Sequence, residues 1–143
     1  MHRFLWSCVV VTLARVATAG SAADPAAERA AWENFDTAVR SRLAEARVRH
    51  EALRRALASA AYEEMLRRKQ EESARDKAAA LALARLAIPA ELSGYAQELE
   101  RMRRQAVESL EARSDGDHRL AAARERASLV YADGVRARLG RVK

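Results

Sequence analysis

The 143-residue chain has a single cysteine, Cys8, and therefore no disulfide of its own. Its three histidines stand far apart, at positions 2, 50 and 118, so the Cys/His spacing of a structural zinc site is missing. Only 5% of the residues are aromatic, and β-branched residues are few beyond the first 20 positions, which removes the usual material of sheets. Five Gly and two Pro leave little for tight turns. The longest apolar run, Phe4–Ala14, has 11 residues, against about 20 for a membrane-spanning helix. Bulky apolar side chains are also scarce. Half the chain counts as hydrophobic, but about a quarter of all residues are alanine, which buries little surface. What remains is the Ala/Glu/Arg/Leu profile of long helices and coiled coils, in a length that allows one domain at most.

Residues 1–23 contain no acid, two Arg (Arg3 and Arg15) and several Ser and Thr. They form an N-terminal targeting segment of one of two kinds. An acid-free, Arg- and Ser/Thr-containing stretch with Arg15 near a cut suits mitochondrial import to the matrix side. His2-Arg3 ahead of an apolar stretch and Ala17-Thr18-Ala19 suits secretion or periplasmic export, and retention as an anchor is a third outcome. Cys8 lies inside this segment, so a processed chain has no thiol.

Asp24-Pro25 is a helix start: Asp accepts backbone N–H bonds as N-cap, and Pro at the first helical position has φ already set. No Pro or Gly follows until Ile88-Pro89, where the residue before Pro is pushed out of the α region. The expectation is one very long helix over about 24–87, roughly 96 Å at 1.5 Å per residue. Trp32, Phe35, Val39, Leu43, Ala46, His50, Leu53, Leu57 and Ala60 recur at steps of three and four, an a/d seam that fits one partner helix. Between Leu66 and Leu81 no large apolar residue occurs; Arg67–Lys77 reads as a solvated charged run, with Glu63/Arg67, Glu64/Arg68 and Glu71/Arg75 paired at i,i+4. After a loop at Ala90–Gly94, with Ser93 as cap, a second helix is expected over about Tyr95–Arg113. Its apolar face carries Tyr95, Leu99, Met102, Ala106 and Leu110. Ser114–Asp117 reads as a loop, Asp117 as the cap of a third helix over about His118–Leu139, and Leu120, Ala123, Ala127, Val130 and Tyr131 as that helix's apolar side, with Val135 and Leu139 further on. The chain thus divides into a targeting segment (1–23), a long charged helix (24–88) and a two-helix C-terminal region with a basic tail (89–143). The fold class is all-α, extended and coiled-coil-like, with no compact globular core.

Chemistry is hard to place on such a chain. There is no Gly-rich phosphate loop, no His–carboxylate pair at metal spacing and no nucleophile motif, and three narrow-striped helices offer no cleft. No catalytic, cofactor or metal residue is assigned, and no small-molecule substrate is expected. His50 reads as a tolerated seam residue and His118 as a helix-start residue. Trp32 and Phe35 read as anchors of the partner seam (Trp32, Phe35, Val39, Leu43, Leu53 and Leu57), the alternative being stacking on a base.

The arginines say more. Arg40, Arg47 and Arg54 recur every seven residues, and Arg68 and Arg75 continue the phase after Ala61. Arg42 and Arg49 hold the other flank of the seam, where acids are sparse. Arg on both flanks disfavours self-pairing and suits a different, anionic partner, either RNA phosphate or an acidic protein surface; a solvated face is the bland alternative. With no aromatics interleaved, an RNA contact is to backbone rather than to bases.

The long Arg/Glu/Ala helix, the break at Leu86-Ala87-Ile88-Pro89 and the late segment Ala127-Ser128-Leu129-Val130-Tyr131-Ala132-Asp133 resemble the long-helix, mitochondria-specific proteins of the mitochondrial small ribosomal subunit. The resemblance implies a non-catalytic structural subunit that bridges protein neighbours and rRNA backbone. Two other readings of the residues stay open. One is an accessory subunit of mitochondrial ATP synthase or a respiratory complex, the only reading with membrane contact. The other is a secreted or periplasmic coiled-coil protein of chaperone or lysis type.

Overall fold

A computed structural model describes residues 24–141; residues 1–23, expected from the sequence to be a targeting segment and holding Cys8, and the last two residues of the chain lie outside that range. The described residues are all helical: α1 (Pro25–Leu57), α2 (Tyr62–Ala84), a 3-10 helix (Ala90–Tyr95), α3 (Ala96–Ser114) and α4 (His118–Leu139). The start of α1 follows the capping logic, with Asp24 accepting from the Ala26 N–H at 3.0 Å and Pro25 in the first helical position.

The single helix expected over 24–87 is not formed. It divides at Ala58–Ala61, where Ala61 adopts extended backbone (φ −64°, ψ 152°) and α2 begins without a side-chain cap. No Gly or Pro marks the site. The intervening Ala-Ser-Ala-Ala run has high propensity but no side chain large enough to brace either conformation. The Ser59 hydroxyl instead donates to the Ala56 carbonyl at 3.4 Å, a local bond that competes with the helix. Propensity over four residues amounts to little beside tertiary contact. Folding back there lays the charged run of α2 along α1 and lets Arg49 reach Glu72 and Asp76.

Helix α2 stops at Ala84, three residues short of the expected end. The expected loop at Ala90–Gly94 is instead a 3-10 turn that inserts Leu92, fully buried, under the bundle; Ser93 makes no cap bond, and Tyr95 precedes α3. Between α3 and α4 the chain turns in three residues. The Gly116 N–H bonds to the Arg113 carbonyl at 3.0 Å and the Asp117 N–H to the Ala112 carbonyl at 2.8 Å, with Gly116 at φ 84°. This is the Schellman closure, in which Gly takes the left-handed position. Asp117 then caps α4 by accepting from the Leu120 N–H at 2.9 Å.

The helices run alternately up and down. Arg136 near the end of α4 reaches Asp36 near the start of α1 at 2.6 Å, while Ser73 and Ser114 meet across α2 and α3 at 3.2 Å. A shared interior follows, so the expected absence of a core is also corrected. The seam residues Trp32, Phe35, Val39, Leu43 and Ala46 are buried with Leu83, Leu92, Leu99, Met102, Ala106, Leu110, Val135 and Leu139. The partner of the seam is this chain's own C-terminal half, and Trp32 and Phe35, each 3% exposed, have no face left for a base.

Small side chains make this interior possible. Of the α4 residues expected to be apolar-facing, Leu120, Ala123 and Val130 are exposed, while Tyr131 packs against the core and Val135 and Leu139 are buried in it; the rest of the buried face is Ala121, Glu125, Ser128 and Ala132. Alanine and serine let α4 lie close on α3. The two serine hydroxyls in the contact donate across it, Ser109 to the Ala121 carbonyl at 2.8 Å and Ser128 to the Met102 carbonyl at 3.0 Å. Their polar atoms are thus satisfied in the interior.

Candidate functional site: a polar cleft at one end of the bundle

The buried face of α2 is a helical stripe of Glu72, Asp76, Ala79, Ala80 and Leu83, apolar at one end and acidic at the other. Its acidic end faces Arg49 of α1. The Arg49 Nε donates to Glu72 Oε1 at 2.9 Å and its Nη2 to Asp76 Oδ1 at 3.0 Å. The Asp76 side chain is 2% exposed. Burial pushes its carboxyl above the ordinary aspartate value and the Glu72 charge pushes the same way, against the Arg49 hydrogen bond and charge. For Arg49, burial works against its charge, but the bonds and charges of Glu72 and Asp76 outweigh it and raise its pKa. The run read as a solvated charged segment is mostly exposed, but Glu72 and Asp76 within it face the interior. The fourfold spacing of Glu72 and Asp76, in phase with Ala79, Ala80 and Leu83, was the signal of it.

Beside this triad the ends of α1 and α3 and the starts of α2 and α4 enclose a cleft of about 750 Å³. Three narrow stripes offered no cleft; four helices in antiparallel contact do. Leu53, Leu57, Ala58 and Met65 form its apolar wall, while the rest is polar and of mixed charge, with Arg54, Lys69 and Arg113 against Glu72, Asp76 and Asp115, beside His50 and His118. Seam residues Leu53 and Leu57 are only half-buried because the seam opens here. His50 and His118, read separately from the sequence, stack with ring centroids 3.8 Å apart and planes 22° from parallel. Desolvation lowers the pKa of both. His118 and the arginines Arg113 and Arg54 add to the lowering at His50, with Glu72 opposing; at His118, Arg113 and Arg54 add to it, with Asp117 and Asp76 opposing. Nothing local in the sequence links two histidines 68 positions apart. Only the Schellman corner, which sets His118 three residues beyond Asp115, and the antiparallel return of α4 bring them together.

Arg113 is the second residue that sequence reasoning passed over. Its side chain is 8% exposed, its Nη2 lies 3.6 Å from Glu125 Oε2, and its Nε is buried with no hydrogen-bond acceptor among the described residues. Glu125, 8% exposed at the side chain, is shared with Arg47 of α1.

The arginines singled out from their heptad spacing fall into three groups. Arg40 donates through Nε to both Asp36 oxygens at 2.7 and 2.8 Å, Arg47 pairs with Glu125, and Arg49 with Glu72 and Asp76. These three have found their acidic partner within the chain. Arg42, Arg68 and Arg75 make local pairs with Glu45 (3.9 Å), Glu64 (2.7 Å) and Glu72 (3.8 Å). Of the expected i,i+4 pairs only Glu64–Arg68 forms; Arg67 bridges Glu64 and Glu71 instead. Arg54 makes no ion pair among the described residues and lines the cleft.

Among the described residues no group of three or more His, Cys, Asp or Glu could hold a metal ion, and no helix is long and apolar enough to cross a membrane. Comparison with protein-family models, with curated proteins and with solved structures finds no match.

Proposed function

We propose that the chain is a non-catalytic structural subunit of a larger mitochondrial assembly, with the small ribosomal subunit in first place, where it touches protein neighbours and the rRNA backbone. The observation that supports this reading is the set of arginines that no carboxylate of the chain engages. Arg85, Arg104, Arg119 and Arg126 are exposed and make no ion pair among the described residues. Guanidinium is planar, forked and always charged, which suits phosphate oxygens. The docking surface is accordingly moved from the α1 seam, which is spent on the interior, to the outer faces of α3 and α4.

The test is co-sedimentation of the full chain with mitochondrial ribosomal particles over a salt series, with and without nuclease. Association should weaken steeply with salt and be released by nuclease. Replacing Arg104, Arg119 and Arg126 by Gln together should flatten the log–log salt slope by about 3. Co-migration with a membrane complex that nuclease leaves untouched overturns the ribosomal reading in favour of an ATP synthase or respiratory subunit. N-terminal sequencing of the mature protein, with fractionation, separates mitochondrial import from export.

A further inference from the structure

His50 lies near the end of α1, half-buried, and His118, at the exposed start of α4, covers it with ring centroids 3.8 Å apart. Among the described residues no hydrogen bond or ion pair joins residues 50–71 to α3 or α4, so this stack is the one polar tie between the tip of the α1–α2 hairpin and the α3–α4 corner. The tip itself is loosely built. Leu53, Leu57 and Met65 are half-buried, the Ala58–Ala61 joint has no bracing side chain, and α2 starts without a side-chain cap. The ties that anchor α1 lie below the tip: Arg47 to Glu125, and Arg49 to Glu72 and Asp76. Segments with few buried apolar contacts open at lower free energy than a core does.

The charges that surround the two rings offset one another only while the rings are neutral. Arg49 and Arg54 of α1, Lys69 of α2 and Arg113 of α3 stand against Glu72 and Asp76 of α2 and Asp115 and Asp117 of the corner. Glu72 and Asp76 already receive the Arg49 guanidinium, and Asp115 and Asp117 are exposed. A proton on each imidazole therefore sets two like charges face to face, with Arg54 and Arg113 adding to the repulsion. Asp76, whose carboxyl burial holds above the ordinary aspartate value, gives up its negative charge in the same direction of pH.

We propose that the His50–His118 stack is a proton-operated latch: on acidification the tip formed by residues 50–65 parts from the α3–α4 corner and bares Leu53, Leu57 and Met65, while the apolar end of the bundle keeps its packing. Imidazole is the side chain whose charge changes between neutral and mildly acid pH, and its protonation at a contact between elements biases that contact toward opening. This inference stands apart from the ribosomal reading, since it uses none of the arginines on which that reading rests.

The experiment is amide hydrogen exchange of the full chain at about pH 7.5 and about pH 5.5, corrected for the intrinsic effect of pH on exchange. In acid, amides of residues 50–65 and 116–121 should lose protection by about tenfold or more, and those of residues 99–110 and 128–135 by less than about twofold. His118→Gln, at an exposed position, and His50→Gln with His118→Gln should each keep the tip protected in acid as it is at neutral pH. A dye that fluoresces on apolar surface should brighten in acid with the unaltered chain and not with His118→Gln. Should the double variant fail to fold, as read by circular dichroism, the single variant carries the test. Protection lost evenly over both ends, an acid response unchanged in His118→Gln, or no acid response in the unaltered chain each overturns the proposal.

Discussion

The two ends of the bundle are built from different materials. At one end, Trp32, Phe35, Val39, Leu83, Leu92, Leu99, Val135 and Leu139 gather most of the bulky apolar side chains the sequence owns. At the other, Arg49, Glu72, Asp76, Arg113 and Glu125 reach the interior, a serine pair and a histidine pair cross the helices, and the packing opens into a cleft. A chain with few large hydrophobes has concentrated them, and what holds the second end together is charge pairing, which stabilises weakly but places groups specifically. The apolar end makes the fold stable; the polar end is where the packing opens to solvent.

Three measurements bear on that contrast. Removing bulk from the apolar end should cost most: Leu99→Ala, at a fully buried position, is expected to lose about 2–5 kcal/mol of unfolding free energy in denaturant titration. A loss below about 1 kcal/mol would mean the two ends do not differ in this way. Next, Arg49→Ala leaves Glu72 and Asp76 facing each other in the interior and should lose roughly 1–3 kcal/mol. Replacing the triad as a whole (Arg49→Met, Glu72→Gln, Asp76→Leu) should restore the thermal midpoint or raise it. A triple variant less stable than Arg49→Ala would show that the ion triad contributes net stability.

The smallest effect concerns pH. His50 and His118 both have folded pKa values below the ordinary 6.5. The unfolded chain therefore takes up protons first, and stability is fully present above pH 6.5 and declines as pH falls from there through the lowered folded values. Asp76 acts oppositely: its pKa is raised in the fold, so its contribution is favourable at low pH and is lost as pH rises from the unfolded value of 3.8 through the folded one. In His50→Gln with His118→Gln the decline below pH 6.5 should flatten. An unchanged pH profile of the thermal midpoint would detach the histidine pair from the stability of this end.

Much of this architecture is readable in the chain, and what is not readable has a consistent cause. Helix starts with strong local chemistry, Asp24-Pro25 and Asp117, stand where the residues place them, and α4 spans the expected His118–Leu139. The buried stripe of α3 was equally plain because Leu99, Met102 and Leu110 are large and mark its phase. The fold-back at Ala58–Ala61 was not, since four small residues carry no turn signal and the decision lies with contacts made by Arg49, 9 to 12 positions earlier. On α4 the later residues Val135 and Leu139 are buried as expected, but the earlier part of the face is misplaced for a related reason: Ala121, Ser128 and Ala132 are buried because they are small, and a search for bulky apolar residues picks Leu120 and Val130, which face water. At the candidate site the positions of Arg49, Arg54, Leu53 and Leu57 were singled out but given an outside partner. Arg113 and the His50–His118 pair had no local pattern to betray them, because their chemistry exists only once the fourth helix has returned.

That return depends on the corner at Asp115–Asp117, where one residue, Asp117, both closes α3 and opens α4. Such a joint leaves no slack in chain length. Inserting one residue there would spin the last helix by about 100° about its axis, carrying His118 off His50 and Ser128 off the Met102 carbonyl in a single step. The spacing of the cleft is thus geared to a three-residue pinion, and length changes at that corner are expected to be far less forgiving than substitutions around it.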